Sequence, residues 1–289
     1  MSQGQNAPDT LEKAADLLQQ GLGTAFKAGG SSGRQVKNLL NGVWFGHPLH
    51  PAMTDIPVGF WMLSTTFDLL SGANKDSRLA PGADAALGLG ILGAFGAAAT
   101  GLTDWSDTYG KERRTGLIHA LLNTSALTAN CLSWILRRQG RRKLAVLLST
   151  TALGVTTYSS YLGGEMVFNL GTLINRNAWA TGPEDWTPVM PSNALPENTL
   201  CKTRANGTNI LLVRQAGNIF AINETCSHAG GPLSEGHLEK DTVICPWHGS
   251  RFCLVDGKVL DGPATFKAPV YQVRESGGQV EVRSAINHG

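Results

Sequence analysis

Cysteine is scarce in this chain, and so is any excess of charge of one sign. Only five cysteines occur among 289 residues, too few and too scattered for the disulfide framework of a small secreted fold. Lysine and arginine total 24 against 22 acidic residues, which gives a formal net charge of +2. Nucleic-acid binding requires a concentrated basic surface, so this balance predicts no nucleic-acid partner.

Charged residues are also missing from long stretches of the first half. A bilayer core requires about 18 or more apolar residues in a row, so we predict four membrane spans, at 54–72, 84–103, 116–136 and 144–164. The first is the weakest, because Asp55 and Asp68 bracket it. On the second, Gly93, Ala97 and Gly101 form a small-xxx-small ladder that permits close helix packing in lipid. A buried helical bundle in a soluble protein is the alternative.

The pattern of the sequence changes after the fourth span. A polar stretch containing proline and glycine is typical of a linker, and beyond it short alternating runs such as "NILLVRQAGNIFAIN" are separated by turns. Alternation of this kind predicts a small all-β domain. The predicted fold is therefore a four-helix membrane domain followed by an all-β domain. The predicted divisions are a polar N-terminal segment, the transmembrane domain, a linker and the β domain, at 1–46, 47–175, 176–185 and 186–285.

Two short loops in the β domain each carry one cysteine and one histidine. They read Cys226-x-His228 and Cys245-x-x-His248, with sixteen residues between them. Thiolate and imidazole ligands suit zinc, iron and copper. A structural zinc site usually groups its cysteines together in sequence, whereas two mixed pairs suit a two-iron, two-sulfide cluster with both cysteines on one iron. A structural zinc module is the alternative that the residues alone leave open.

The β domain resembles a Rieske iron–sulfur domain. Beside the two loops, the likeness rests on "HAGGPL", on "CPWHGSRF" and on "DGPA" at 261–264. The resemblance implies a [2Fe-2S] cluster, and it implies that 261–264 is a loop that shields the cluster. The ligands that it implies are Cys226 and Cys245 on one iron, and His228 and His248 on the other.

Four neighbouring residues bear on the reduction potential. Gly231 and Trp247 occupy the places where Rieske proteins of cytochrome bc complexes carry a disulfide, and Phe252 stands where high-potential members have tyrosine. Ser250 keeps a hydroxyl that could hydrogen-bond a sulfide. Fewer hydrogen bonds to the sulfurs mean a lower potential. The loops are thus closer to the ferredoxin and oxygenase branch, and we predict a potential in the lower half of the range of roughly −150 to +300 mV.

The helical half resembles an uncharacterised bacterial family of four-helix membrane proteins. The likeness rests on "HPLHPAMTDIPVGF", "TGLTDW" and "YLGGEMVFNLG", and that family offers no established activity. Polar groups at membrane depth by default suggest function, and the predicted membrane site comprises His50, Asp104, His119 and Glu165. The histidines could be axial ligands of a haem, or with the acids could line a quinone or proton site. Interfacial caps and hydrogen bonds between helices are the alternative.

The loop between the third and fourth spans, "RRQGRRK", carries five basic residues in seven. The positive-inside rule places this loop in the cytoplasm, and hence the cluster domain on the external face of the cell membrane. We expect a multi-pass membrane protein that contacts lipid and carries single electrons between a membrane donor and another redox protein. A component of a Rieske-dependent oxygenase is the alternative. A complete oxygenase is not expected, because the residues after His248 leave no room for a mononuclear iron domain.

Overall fold

The computed structural model of this protein describes residues 10–74 and 77–285. These residues divide into two compact units. One unit comprises 10–33 and 49–172 and is helical, and the other comprises 34–48 and 173–285 and contains all the strands. A helical N-terminal region and a C-terminal β domain are thus confirmed, while the predicted domain boundaries stay predictions.

The helices of the described ranges begin and end as follows: α1 (Thr10–Ala28), α2 (Gly30–Asn41), α3 (Leu49–Asn74), α4 (Ala80–Trp105), α5 (Gly110–Arg138) and α6 (Arg142–Gly164). Each of the four predicted spans falls within one of the helices α3 to α6. By length and composition, α4 is the one helix of the described chain apolar enough to cross a membrane. A single such helix is weak evidence, so the prediction of four membrane-spanning helices is not confirmed.

Helices α3 and α4 pack closely through the small residues of α4. A Cβ atom on Gly93 would lie 2.5 Å from Cγ2 of Ile56, and one on Gly101 would lie 2.6 Å from Cε1 of His50. Gly90 allows the same approach, because a Cβ there would lie 2.4 Å from the Trp61 ring. The small-xxx-small ladder therefore lets side chains of α3 pack directly against the backbone of α4.

A buried ionic network joins one end of these four helices, and the sequence alone did not indicate it. Arg137 of α5 pairs with Asp68 of α3, and both side chains are 1% exposed. Arg137 also reaches Asp84 of α4 at 2.8 Å. Arg142 of α6 lies 2.7 Å from Asp68 and 3.0 Å from Asp84. Each helix thus contributes one charged group, and the opposite charges satisfy one another.

Replacing Asp68 with asparagine is expected to destabilise the helical unit. The change leaves the Arg137 guanidinium buried with only one of its two carboxylate partners, and breaking a buried ion pair costs about 3–5 kcal/mol. The midpoint of thermal unfolding of the detergent-solubilised protein should fall clearly. The matched control is Asp55→Asn, because Asp55 lies on the same helix but is exposed. Equal midpoints for the two variants would show that the network contributes nothing.

The β unit contains three antiparallel sheets. Their strands are β1 (Thr187–Pro191), β2 (Cys201–Ala205), β3 (Thr208–Gln215), β4 (Asn218–Asn223), β5 (His237–Glu239), β6 (Thr242–Ile244), β7 (Arg251–Cys253), β8 (Val259–Asp261), β9 (Tyr271–Ser276) and β10 (Gln279–Ser284). The strand orders are β1-β10-β9, β2-β3-β4 and β5-β6-β7-β8.

The central sheet, β2-β3-β4, is covered on both faces. Successive side chains of a strand point to opposite sides, and in β3 the residues Ile210 and Leu212 enter one core, together with residues of β9 and β10. Leu211 and Val213 enter a second core, which they share with the small four-stranded sheet and with Cys226 and Cys245. Burial on both faces explains why β3 reads as a continuous apolar run, and it fixes the cysteines against a rigid sheet.

Candidate metal centre

Two loops with the same hydrogen-bond pattern carry the cysteines and histidines. In the first, the Cys226 N–H donates to the Gly231 carbonyl at 2.8 Å, and the Gly230 N–H donates back to the Cys226 carbonyl at 3.0 Å. The second loop repeats both bonds, from Cys245 to Ser250 at 2.9 Å and from Gly249 to Cys245 at 3.1 Å. Each loop is therefore a closed turn with its cysteine at the first position.

A glycine with positive φ makes each turn possible. Gly230 has φ of 86° and Gly249 has φ of 73°, and both stand four residues after the cysteine. Side chains other than glycine pay a steric cost in this left-handed region. The equivalent glycines let the chain turn back in each loop, so that the hydrogen bonds at its cysteine can close.

The four predicted ligand side chains form two like pairs. The Cys226 and Cys245 thiols are buried and hydrogen-bonded to each other. The rings of His228 and His248 lie edge to face with their centroids 5.0 Å apart. Within the described ranges, no three histidine, cysteine or acidic side chains are grouped so as to hold one metal ion. Two thiols on one side and two imidazoles on the other is instead the arrangement that a two-iron cluster uses.

The electrostatics of the four side chains suit metal binding. The hydrogen bond between the thiols raises the pKa of Cys226, which donates it, and lowers the pKa of Cys245 to about 7. Burial, together with the charges of His248, Lys37 and Arg176, lowers the pKa of His228 to about 3. The His228 ring is therefore neutral at neutral pH, and its Nδ1 atom is buried without a hydrogen bond. A buried nitrogen of this kind fits a metal-ligand role.

Buried serines next to the ligand positions tie the two loops to the 261–266 segment. The Ser227 hydroxyl donates to the Phe266 carbonyl at 2.6 Å, and Ser250 Oγ accepts a hydrogen bond from the Ala264 N–H at 3.0 Å. The Ser250 hydroxyl proton is left for a further acceptor, such as the predicted sulfide. The sequence indicated a role for Ser250, but the role of Ser227 needed the fold, because its partner lies 39 residues away.

The comparisons with known proteins agree with this geometry. Residues 185–272 match the Rieske [2Fe-2S] domain family. The ferredoxin subunit of the 3-phenylpropionate/cinnamic acid dioxygenase of Escherichia coli strain K12 is 46% identical over 72 residues, which are 25% of this chain and 68% of that subunit. This chain belongs to the Rieske family. Its Rieske domain implies a [2Fe-2S] cluster, and the buried donor set described above fits one.

Other matches extend the comparison. Residues 46–176 match the family described as a predicted membrane protein, DUF2231. The ferredoxin of carbazole 1,9a-dioxygenase from Nocardioides aromaticivorans IC177 is 23% identical, with a TM-score of 0.34, and the match covers 35% of this chain and 99% of the ferredoxin. The terminal oxygenase of the same system is 29% identical, with a TM-score of 0.34, over 37% of this chain and 32% of the oxygenase.

In the Rieske domain, Gly231 and Trp247 lie side by side at the two positions where Rieske proteins of cytochrome bc complexes carry a disulfide. A Cβ atom on Gly231 would lie 3.1 Å from the Trp247 ring and 2.9 Å from Sγ of Cys245. The indole therefore covers the first loop, and about half of the Trp247 side chain stays exposed (49%). The resemblance implies that these two positions are neighbours, and in the fold they are. Here the two residues pack against each other, where the proteins of cytochrome bc complexes have a disulfide bond.

The predicted membrane site is only partly brought together. The rings of His50 and His119 lie 6.5 Å apart. His50 Nδ1 lies 2.9 Å from the Ala97 carbonyl, and His119 bonds the Ser159 carbonyl through Nδ1 and Asn123 through Nε2. The prediction of a haem gains no support, because both nitrogens of His119 already have protein partners. Asp104 is buried near the end of α4, and Glu165 accepts a hydrogen bond from Asn169.

Replacing Phe252 with tyrosine is expected to raise the reduction potential of the loaded Rieske domain. Phe252 is fully buried in the core that contains both cysteines, so a hydroxyl added there would lie in the same core as the two cysteine sulfurs. A hydrogen bond that favours the reduced state by about 1 kcal/mol raises a one-electron potential by roughly 40 mV. Protein-film voltammetry measures the shift. Phe220→Tyr, on the edge of the same core, should leave the potential unchanged, and an equal shift in both variants would refute the assignment.

Proposed function

We propose that this protein is a membrane-anchored Rieske [2Fe-2S] protein that passes single electrons between a membrane donor and a partner protein. The observation that carries the proposal is the two-and-two arrangement of the donors. Cys226 and Cys245 would hold one iron, and His228 and His248 the other. A structural zinc ion takes its four ligands around one point, which this pairing of thiol with thiol and ring with ring does not favour.

The protein's own residues divide the site into a sealed side and an accessible side. A bound [2Fe-2S] cluster supplies a one-electron acceptor and donor. The two cysteines are 1% and 3% exposed and would keep their iron from water. The two histidines are only half-buried, so a partner approaches on the histidine side. Because neutral imidazoles would stand there in place of the thiolates of an all-cysteine cluster, that side of the cluster would carry little negative charge.

The surroundings of the site support a low reduction potential for the family. Ser250 is the neighbouring hydroxyl that is placed to donate to sulfur, while Phe252 offers no donor. Fewer hydrogen bonds stabilise the added electron less. We therefore propose a potential in the lower half of the range of roughly −150 to +300 mV, and a voltammogram well above about +150 mV would contradict this.

The relatives supply the class of partner. The matching E. coli protein is a ferredoxin subunit of a dioxygenase, which supports electron transfer to another redox protein. Supply of electrons to an oxygenase is the second candidate function for this chain. The two are separated by the partner that co-purifies or reoxidises the reduced protein: a membrane-bound oxidase or reductase in the first case, and an oxygenase with its own iron site in the second.

The surface of the helical unit supports its insertion in a membrane. Many of its buried positions hold small side chains, including Ala83, Ala86, Ala126, Ala145 and Ala152, whereas many large apolar side chains are exposed, including Leu89, Leu92, Phe95, Leu132 and Leu147. Soluble proteins rarely expose contiguous apolar surface of this kind, and small residues at helix contacts are typical of membrane bundles. The match to a predicted membrane protein family supports the same proposal.

The cluster and its ligands are tested together by optical and EPR spectroscopy. The purified, detergent-solubilised protein should be brown and should give, after dithionite reduction, an EPR signal with an average g below the free-electron value. Cys226→Ser should abolish both. Cys201→Ser is the matched control, because Cys201 lies half-buried in β2, away from the loops, and should keep them. A colourless wild-type protein that contains zinc would refute the assignment.

Membrane insertion is tested by extraction. If α3 to α6 lie in the bilayer, the full-length chain should stay in the membrane pellet after washing with alkaline carbonate and should need detergent for release. Release by carbonate would contradict insertion.

The orientation of the Rieske domain is tested by protease. If the domain lies on the external face, protease added to intact spheroplasts should digest it, and digestion only after lysis would contradict that position.

A further inference from the structure

A segment that precedes helices α3 to α6 in sequence belongs to the compact unit of the β domain. Residues 34–48, here called the clasp, comprise most of α2 and the turn at Val43–Phe45. Residues 34–45 lie outside both matched family ranges, 46–176 and 185–272. Neither family assignment therefore accounts for what they do.

The clasp grips the loop that follows β8 through one asparagine. Asn38 Nδ2 donates to Asp261 Oδ1 at 2.8 Å, and Asn38 Oδ1 accepts a hydrogen bond from the Gly262 N–H at 2.9 Å. One side chain thus satisfies a backbone donor and a carboxylate of adjacent residues. Such a two-point contact fixes both the position and the orientation of the loop.

Two further contacts extend the grip along the same loop. The fully buried Asn41 and the side chain of Val43 approach Gly262 so closely that a Cβ there would lie 3.1 Å from each. The ring of His47 packs edge to face on Phe266, with the centroids 5.5 Å apart. The clasp therefore touches the 261–266 segment at both of its ends.

The 261–266 segment in turn touches both ligand loops. Ala264 donates to Ser250 of the second loop, and Phe266 accepts from Ser227 of the first. Ala264 also shares a core with Cys226 and Cys245. The contacts described above thus reach the two ligand loops through this intervening segment.

We propose that the clasp is a third structural element of the cluster site, beside the two ligand loops. It holds the 261–266 segment against those loops, with Asn38 as its positioning residue. The proposal rests on the proposed cluster and adds an element that its motifs do not contain. Retention of the cluster, and shielding of its sulfurs from water, would then depend on a contact made 188 residues before the first ligand cysteine in the chain.

The test uses the full-length, detergent-solubilised protein and two measurements. Hydrogen exchange reports on the amide of Gly262, which is the donor to Asn38, and the visible absorbance reports on cluster loss in the presence of an iron chelator. In Asn38→Ala both rates should rise about tenfold, because two hydrogen bonds are lost. Gln35→Ala, an exposed position on the same helix, is the control and should leave both rates unchanged.

Exchange of the two partner side chains separates the contact from general destabilisation. Asn38→Asp alone sets two carboxylates against each other and should accelerate both processes. Asn38→Asp combined with Asp261→Asn restores one donor and one acceptor between the positions and should return both rates toward those of the wild-type protein. Asp261→Asn alone measures the separate loss of the ion pairs that Asp261 makes with Arg34 and Arg251.

The outcomes distinguish this proposal from the proposed function. A wild-type protein without a cluster would refute the function, while exchange at Gly262 would still report on the clasp. If the wild-type protein holds a cluster and Asn38→Ala leaves either the exchange rate at Gly262 or the rate of cluster loss unchanged, the proposed role of the clasp is wrong. Failure of the double variant to recover would show that Asn38 acts by something other than its bonds to the loop.

Discussion

The hydrogen bond from the backbone N–H of each predicted ligand cysteine to the carbonyl five residues later is the constraint on which the candidate metal centre depends. It closes the turn at Cys226 and again at Cys245, and in each turn a glycine takes the positive φ that other residues adopt at a steric cost. The bond fixes the backbone of each cysteine within its turn. The two turns are held side by side because the first follows β4 and the second joins β6 to β7, and these strands share one core.

Much of this centre could be predicted from sequence, because its information is local. The spacing of cysteine and histidine within each loop, and the glycine four residues after each cysteine, lie within six-residue windows. The pairing of thiol with thiol came from the resemblance and is matched by the geometry. The contacts of Ser227 with Phe266 and of Asn38 with Gly262 could not be predicted, since they join residues 39 and 224 positions apart and leave no periodic signal.

In the helical half, less could be predicted from the sequence. The positions of its helices followed from long uncharged stretches, but among the helices of residues 10–74 and 77–285 only α4 is long and apolar enough to cross a membrane. The reason is that the other helices bury polar side chains, such as Asn130, Ser133 and Ser159, which lower the average while facing inward. The ionic network was missed for a related reason: Asp68 and Arg137 appear in sequence as charges at span ends, and only the fold shows that each neutralises the other.

The clasp has a consequence for the path of the chain. The cluster domain is discontinuous: its first piece, 34–48, is separated from the rest, 173–285, by the inserted helices 49–172. Two pieces that share hydrogen bonds such as Asn38 to Gly262 must lie in the same aqueous compartment. Any crossings of a bilayer between them must then be even in number, so passage by α4 alone would divide the domain. The hydrogen bonds of the Asn38 side chain thus require an even number of crossings, whatever the hydropathy of the individual helices.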